Sequence, residues 1–161
     1  MTQLAIRVAT IPDAPAILAL ADRLSAFGPT TPTAAEIADR ERAALADALS
    51  SPSPGSCVLV AEQSPHGVIG VTLLETRRDY FTNRAHGYVA ILVVAREAEG
   101  RGVGRALLKA AEDWGTANGF TKLTLAVFAD NRRAKDFYEH QGWSPELETW
   151  YKKLGVDEGA A

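Results

Sequence analysis

The chain of 161 residues has a single cysteine, Cys57. One thiol cannot build an internal disulfide framework, and its scarcity suits a reducing, cytoplasmic compartment. No apolar run approaches the roughly 18–20 residues that span a bilayer. Residues Met1 to Ala9 carry no basic region followed by an apolar core, so no secretion signal is expected. Surplus positive charge is also missing. Seventeen Lys and Arg stand against twenty Asp and Glu, a net charge of −3, and that mixed balance gives no nucleic-acid surface. No internal repeat is present. What remains is an ordinary Ala-rich globular composition, long enough for one domain with a sizeable core. That domain is expected over residues 1–154, with a disordered tail over 155–161.

Along the chain, Leu4, Ile6 and Val8 alternate with polar or small residues and predict a first strand. Asp13 is placed to cap a helix that carries Pro15 in its first turn and Ile17, Leu20, Ala21, Leu24 and Phe27 on one face. Gly28 to Pro32 reads as a loop. Thr33 and Glu36 have capping-box spacing and open a second helix to about Leu49. Two strands, Cys57 to Gln63 and Val68 to Arg77, flank Ser64-Pro65-His66-Gly67 as a hairpin. A fourth strand runs from Tyr88 to Ala95, a fifth from Lys122 to Ala129 and a last one from Glu148 to Lys153, with a helix after Asn131 to about His140.

The fourth strand leads into Glu99-Gly100-Arg101-Gly102-Val103-Gly104-Arg105, and a helix succeeds it over Val103 to Ala117 with Val103, Leu107, Ala110, Ala111 and Trp114 on one face. Glycines at alternate positions let a ligand approach the main chain closely. A helix start offers unpaired N–H groups and partial positive charge. Together they form an anion site, most often for phosphate. A nucleotide P-loop would end in Gly-Lys-Ser or Gly-Lys-Thr, whereas Arg105-Ala106 comes after Gly104 here. A dinucleotide fingerprint needs a small residue where Leu107 stands, although Asp130 lies where such a fold wants its ribose carboxylate. That second reading is weakened and stays open.

The run Val93 to Leu108 resembles the acetyl-coenzyme A signature of the GCN5-related N-acetyltransferases (GNAT), whose pattern is Arg or Gln, two residues, Gly, one residue, Gly or Ala. Gly102 and Gly104 match its glycines, while Glu99 replaces the first position. The run Asn131 to Trp143 is similar to that family's second signature at every marked position: Asn131, Ala134, Phe137, Tyr138, Gly142 and Trp143. The resemblance covers Leu4 to Leu154. It implies an α/β (α+β) fold: a single mixed, mostly antiparallel sheet flanked by helices, with strands four and five splayed around the coenzyme.

The resemblance further implies direct attack of an amine on the thioester of acetyl-CoA. It assigns main-chain groups of Leu92, Val93 and Val94 to the pantetheine arm and acetyl oxygen. It assigns Gly100, Arg101, Gly102, Val103, Gly104 and Arg105 to the pyrophosphate, places Asn131 near the pantetheine and puts Tyr138 beside the sulfur as the acid. Arg96, Arg101, Arg132 and Arg133 are candidates for the adenosine-side phosphate. Many relatives carry a carboxylate in strand four where Ala90 and Ile91 stand here. Substitute bases would be Glu75 on strand three or His86, a side-chain type that ordinarily titrates near neutrality. Cys57 has no evident basic partner that would make it a nucleophile. The expected partners are acetyl-CoA and an amine, a small molecule rather than a protein, with room for a homodimer; no metal, nucleic acid or membrane is expected. Asp79-Tyr80-Phe81 is a candidate wall for the acceptor. Rival readings are a non-catalytic acyl-CoA sensor and a dinucleotide-dependent oxidoreductase.

Overall fold

The computed structural model describes residues 3–26, 28 and 32–155. Phe27, most of the loop after it and the tail beyond Gly155 lie outside the described residues. The chain divides into two compact units, Met1–Asn131 and Arg132–Ala161.

In the first unit, strand β1 (Leu4–Val8) is followed by a 3-10 turn over Ile11–Asp13, helix α1 (Ala14–Leu20), a second 3-10 segment over Ala21–Ser25 and helix α2 (Ala34–Ser50). Asp13 does not cap α1 as the sequence suggests. Its carboxylate instead accepts from the Thr10 N–H at 2.7 Å and from both terminal nitrogens of Arg7 at 2.8 Å. The Arg7 guanidinium holds the Asp13 carboxyl well below the usual carboxylate range. The strong hydrogen-bond donors win the side chain from the helix start. At α2 the expected capping box is present: Thr33 Oγ1 accepts from the Glu36 N–H at 3.3 Å, and Glu36 accepts from the Thr33 N–H at 2.7 Å.

Strands β2 (Cys57–Gln63), β3 (Gly67–Arg78), β4 (Ala85–Val94) and β5 (Leu123–Leu125) complete a five-stranded sheet in the order β1-β2-β3-β4-β5. The first three pairings are antiparallel and β4–β5 is parallel. Pleat parity separates the faces. A Cβ on Gly70 would lie 3.0 Å from Leu107 on helix α3 (Val103–Ala117), so even-numbered β3 residues face α3. Leu73 and Glu75, of the opposite parity, line a cavity with α2. The buried core therefore has two halves, one built with Ile17, Leu20 and Leu45 and the other with Val103 and Leu107. None of the described helices is long and apolar enough to cross a membrane.

Helix α3 has the expected bounds, but its buried face also takes in Leu108 and Gly115. It lies so close to the sheet that a Cβ on Gly87 would sit 2.9 Å from its Trp114, besides 2.3 Å from Leu123 on the neighbouring β5. Overpacking of this kind typically costs about 1–3 kcal/mol. Gly87→Ala should therefore lower stability by about 2 kcal/mol in a urea titration, with an unchanged m-value; an unchanged midpoint would contradict this packing.

Two expected strands differ. β5 stops at Leu125 instead of Ala129, because the edge of β4 leaves it there. Residues 148–153 form no strand. Within the second unit, helix α4 (Arg132–His140) is the sole regular element among the described residues, so an alternating segment there has no second strand to pair with. Trp150 and Tyr151 stand exposed on it, as do Leu147 and Leu154 at its two ends.

Candidate active site

The site begins where β4 changes neighbours. β4 pairs with β3 from Ala85 to Val94, but with β5 only from Gly87 to Val89. From Ala90 to Val94 its other edge carries main-chain groups with no strand beside them among the described residues. At the same point the ladder slips: Leu73 pairs with Ile91 and Leu74 with Val89, leaving Ala90 as an inserted residue. Such a bulge bends the strand and re-aims the residues beyond it. His86 and Tyr88 share the α2 face with Arg77 and Glu75, whereas beyond the bulge that face passes to Ile91 and Val93. Thr72 is fully buried, and its hydroxyl donates to the Ile91 carbonyl at 2.8 Å, satisfying a polar group beside the irregularity.

β4 runs straight into the glycine loop. After a 3-10 turn over Arg96–Ala98, Gly100 and Gly102 adopt φ of +71° and +80°, a region costly for other residues. Gly102 is the N-cap of α3 and supplies no side-chain cap. The first helical bond runs from the Ala106 N–H to the Gly102 carbonyl at 3.0 Å, so the N–H groups of Val103, Gly104 and Arg105 have no acceptor inside the helix. A Cβ on Gly100 or Gly102 would meet nothing within 4 Å among the described residues. Open space over orphan donors at a positive helix end suits the phosphates of a coenzyme. The Arg101 guanidinium is drawn back to β2, where it donates to Gln63 Oε1 at 2.6 Å, while Arg96 and Arg105 are exposed. Glu99 is bonded to Arg23, whose guanidinium also donates to the Val94 carbonyl. Nothing in the sequence pattern singles out Arg23, which is a lone cation on a short 3-10 segment 76 positions from Glu99.

The two expected bases fall on one face of the sheet. Glu75 pairs in register with Tyr88, and His86 with Arg77. Glu75 accepts from Arg77 Nη2 at 2.9 Å, and the Arg77 guanidinium lies 3.3 Å from the Tyr88 ring centroid. Glu75 also lines a cavity of about 370 Å³ with Arg40, Asp47 and Leu73. His86 Nε2 lies 3.0 Å from Thr124 Oγ1 on β5, and its Nδ1 is buried with no hydrogen-bond partner among the described residues. At the β3–β4 turn, Asp79 accepts from the Thr82 N–H at 2.9 Å and from Lys122 at 3.0 Å, which keeps its carboxyl ionised well below the usual range. Tyr80 and Phe81 extend from that turn into solvent, edge to face at 5.2 Å.

In the second unit, α4 follows Asn131 directly and carries Arg132, Arg133 and Tyr138. The Trp143 N–H donates to the Tyr138 carbonyl at 3.0 Å, with Gly142 turning at φ +86°. The Trp143 ring thereby folds against Tyr138 at 6.0 Å, and Phe137 sits on Tyr138 at 5.3 Å. Burial pushes the Tyr138 phenol up to about 12, so it stays protonated across the neutral range. The spacing Tyr138, Gly142, Trp143 has a physical reason: the glycine lets an aromatic residue return to the tyrosine.

A β4 edge with no strand beside it beyond Val89 among the described residues thus continues into a glycine-led helix whose first N–H groups no side chain caps. Residues 20–143 match the acetyltransferase (GNAT) family model, and the chain belongs to that family. Over 61 residues the chain is 43% identical to a mycothiol acetyltransferase of Beutenbergia cavernae, a match covering 38% of this chain and 20% of that relative. Among solved structures, a Pyrococcus furiosus protein assigned as an acetyl transferase superposes with a TM-score of 0.77 at 24% identity, covering 94% of this chain and all of the other. An aminoglycoside N-acetyltransferase in complex with CoA superposes at 0.74 and 19% identity, covering 95% of this chain and 96% of the other. These superpositions establish the fold: a mixed five-stranded sheet flanked by helices, with β4 and β5 parallel and splayed.

Proposed function

We propose that the chain moves an acetyl group from acetyl-CoA to the amine of a small molecule. The observation that carries this reading is the β4 edge beyond Val89, which has no strand beside it among the described residues and only its Val94 carbonyl taken by Arg23, leading into the uncapped start of α3. Main-chain groups of Leu92, Val93 and Val94 run beside the pantetheine arm. Gly100 to Arg105 take the pyrophosphate, with Asn131 and Arg133 as further contacts. The amine nitrogen attacks the thioester carbonyl, the C–S bond breaks, and an amide and a free thiol leave. The oxyanion formed on the way needs a fixed donor, which a β4 main-chain N–H beside the bulge can supply. Tyr138 holds its proton at neutral pH and delivers it to the departing sulfur. The aminoglycoside acetyltransferase among the fold's neighbours supports a small polar amine as acceptor.

Proton removal from the amine is indirect in this reading. Ala90 and Ile91 can accept no proton, Glu75 is held by Arg77, and His86 rests against Thr124. Either one of these two works through a water, or the amine arrives partly neutral. We favour the second course. The acid limb of kcat/KM should then follow the pKa of whichever amine is supplied and persist in Glu75→Gln and His86→Ala. A limb that stays fixed across amines and shifts in one of the variants would identify that residue as the base.

The missing carboxylate on β4 also favours a second reading, an acyl-CoA sensor without turnover. An amine panel with thiol release as the readout separates the two. Release that depends on an added amine supports the transferase, whereas saturable CoA binding with no amine-dependent release supports the sensor.

A further inference from the structure

We infer that Arg23 is a positioning residue for the coenzyme loop: it draws the Glu99 carboxylate aside so that a loop entered through an acid can accept a diphosphate. The inference rests on the reading of Gly100 to Arg105 as the pyrophosphate site. It starts from a conflict in the chain. Glu99 directly precedes Gly100, whose positive φ opens the cradle, and a carboxylate near a diphosphate repels it, more strongly where water is partly excluded. A carboxylate free to swing would also compete for the orphan N–H groups of Val103, Gly104 and Arg105, since helix starts attract acidic side chains as readily as phosphates.

Arg23 removes both problems. One of its terminal nitrogens donates to Glu99 Oε1 and the other to the Val94 carbonyl, the last residue of β4. The guanidinium thus clamps both ends of the 3-10 turn that links strand to loop, and its planar fork suits two acceptors at once. Both side chains are about three-quarters buried, 28% and 26% exposed, so solvent screens the pair less than an ordinary surface bridge. The bridge neutralises the acid and fixes its direction. An Arg or Gln at position 99 would need no such partner. The clamp therefore explains how the coenzyme loop tolerates Glu99, and why a cation sits on the 3-10 segment after α1.

The test is a double-mutant cycle on coenzyme affinity, measured by calorimetry in the absence of any acceptor. Arg23→Ala should weaken CoA binding about tenfold or more, as expected for uncovering one charge near a diphosphate. Arg23→Gln keeps a donor for the Val94 carbonyl but loses the charge, and it should weaken binding similarly. Glu99→Gln alone should bind CoA at least as tightly as the wild type. The double variant Arg23→Ala/Glu99→Gln should return to within about threefold of wild type. The Arg23→Ala effect should persist with dephospho-CoA, which keeps the diphosphate, and vanish with pantetheine, which carries no phosphate.

A merely structural role for Arg23 predicts a different pattern: all three ligands weakened together, and no rescue by Glu99→Gln. That pattern, or unchanged CoA affinity in Arg23→Ala, overturns the inference while the loop reading stands. Equal CoA affinity in the wild type and in Gly102→Val removes the loop reading, and this inference with it.

Discussion

Gly102→Val should abolish the thermal protection that acetyl-CoA gives the wild-type protein. A ligand that binds only the native state raises stability by mass action, by about 2.7 kcal/mol at a hundredfold excess over Kd. The wild-type midpoint should therefore climb steadily with acetyl-CoA. Position 102 has φ of +80°, where a β-branched residue is strained, and its outward direction is open space over the first turn of α3. Valine would fill that space and turn the N–H groups of the first turn away. Because strain alone lowers the baseline midpoint, the shift with ligand is the quantity to compare. Gly104→Val lies inside the first turn of α3 and should likewise remove the shift. Normal shifts in both variants would place the pyrophosphate elsewhere.

The second large effect is kinetic. Tyr138→Phe should lower kcat by about ten- to a thousandfold, within or below the range for losing one positioned acid. CoA affinity should change little, since the ring and its contacts with Phe137 and Trp143 are kept. Burial raises the phenol to about 12, so the acid form is complete at neutral pH and is lost only as pH rises through that value. Tyr138 should therefore impose no basic limb on the wild-type profile in the ordinary working range. An unaltered rate at saturating substrate would take Tyr138 out of the mechanism.

Much of the fold and site is legible in the sequence because the signals are local. The span of α3 comes from its apolar period, and its start from glycines that no ordinary turn requires. The capping box at Thr33 and the hairpin after Cys57 are likewise short-range patterns. The features that escape depend on partners distant in sequence. Asp13 stands where a cap would, yet Arg7 and Thr10 claim its carboxylate. The bulge at Ala90 has no spelling of its own, since Val89, Ala90 and Ile91 read as uninterrupted strand. Alternation from Lys122 to Ala129 overextends β5, because it cannot reveal that the neighbouring strand turns away after Val89. Residues 148–153 have a strand pattern and no strand, since β structure is made by pairs and the pattern specifies one member. The Arg23–Glu99 bridge is the extreme case, because only the fold brings position 23 to position 99.

The measurement that bears most directly on the central claim is amine-dependent thiol release from acetyl-CoA, monitored with a thiol reagent across a panel of small polar amines, with the products identified by mass. The account predicts that at least one amine accelerates release well above the hydrolytic background. Each thiol freed should be matched by one acetylated amine, and Gly102→Val should be inactive in the same assay. Saturable binding of acetyl-CoA together with release that no amine accelerates would contradict it.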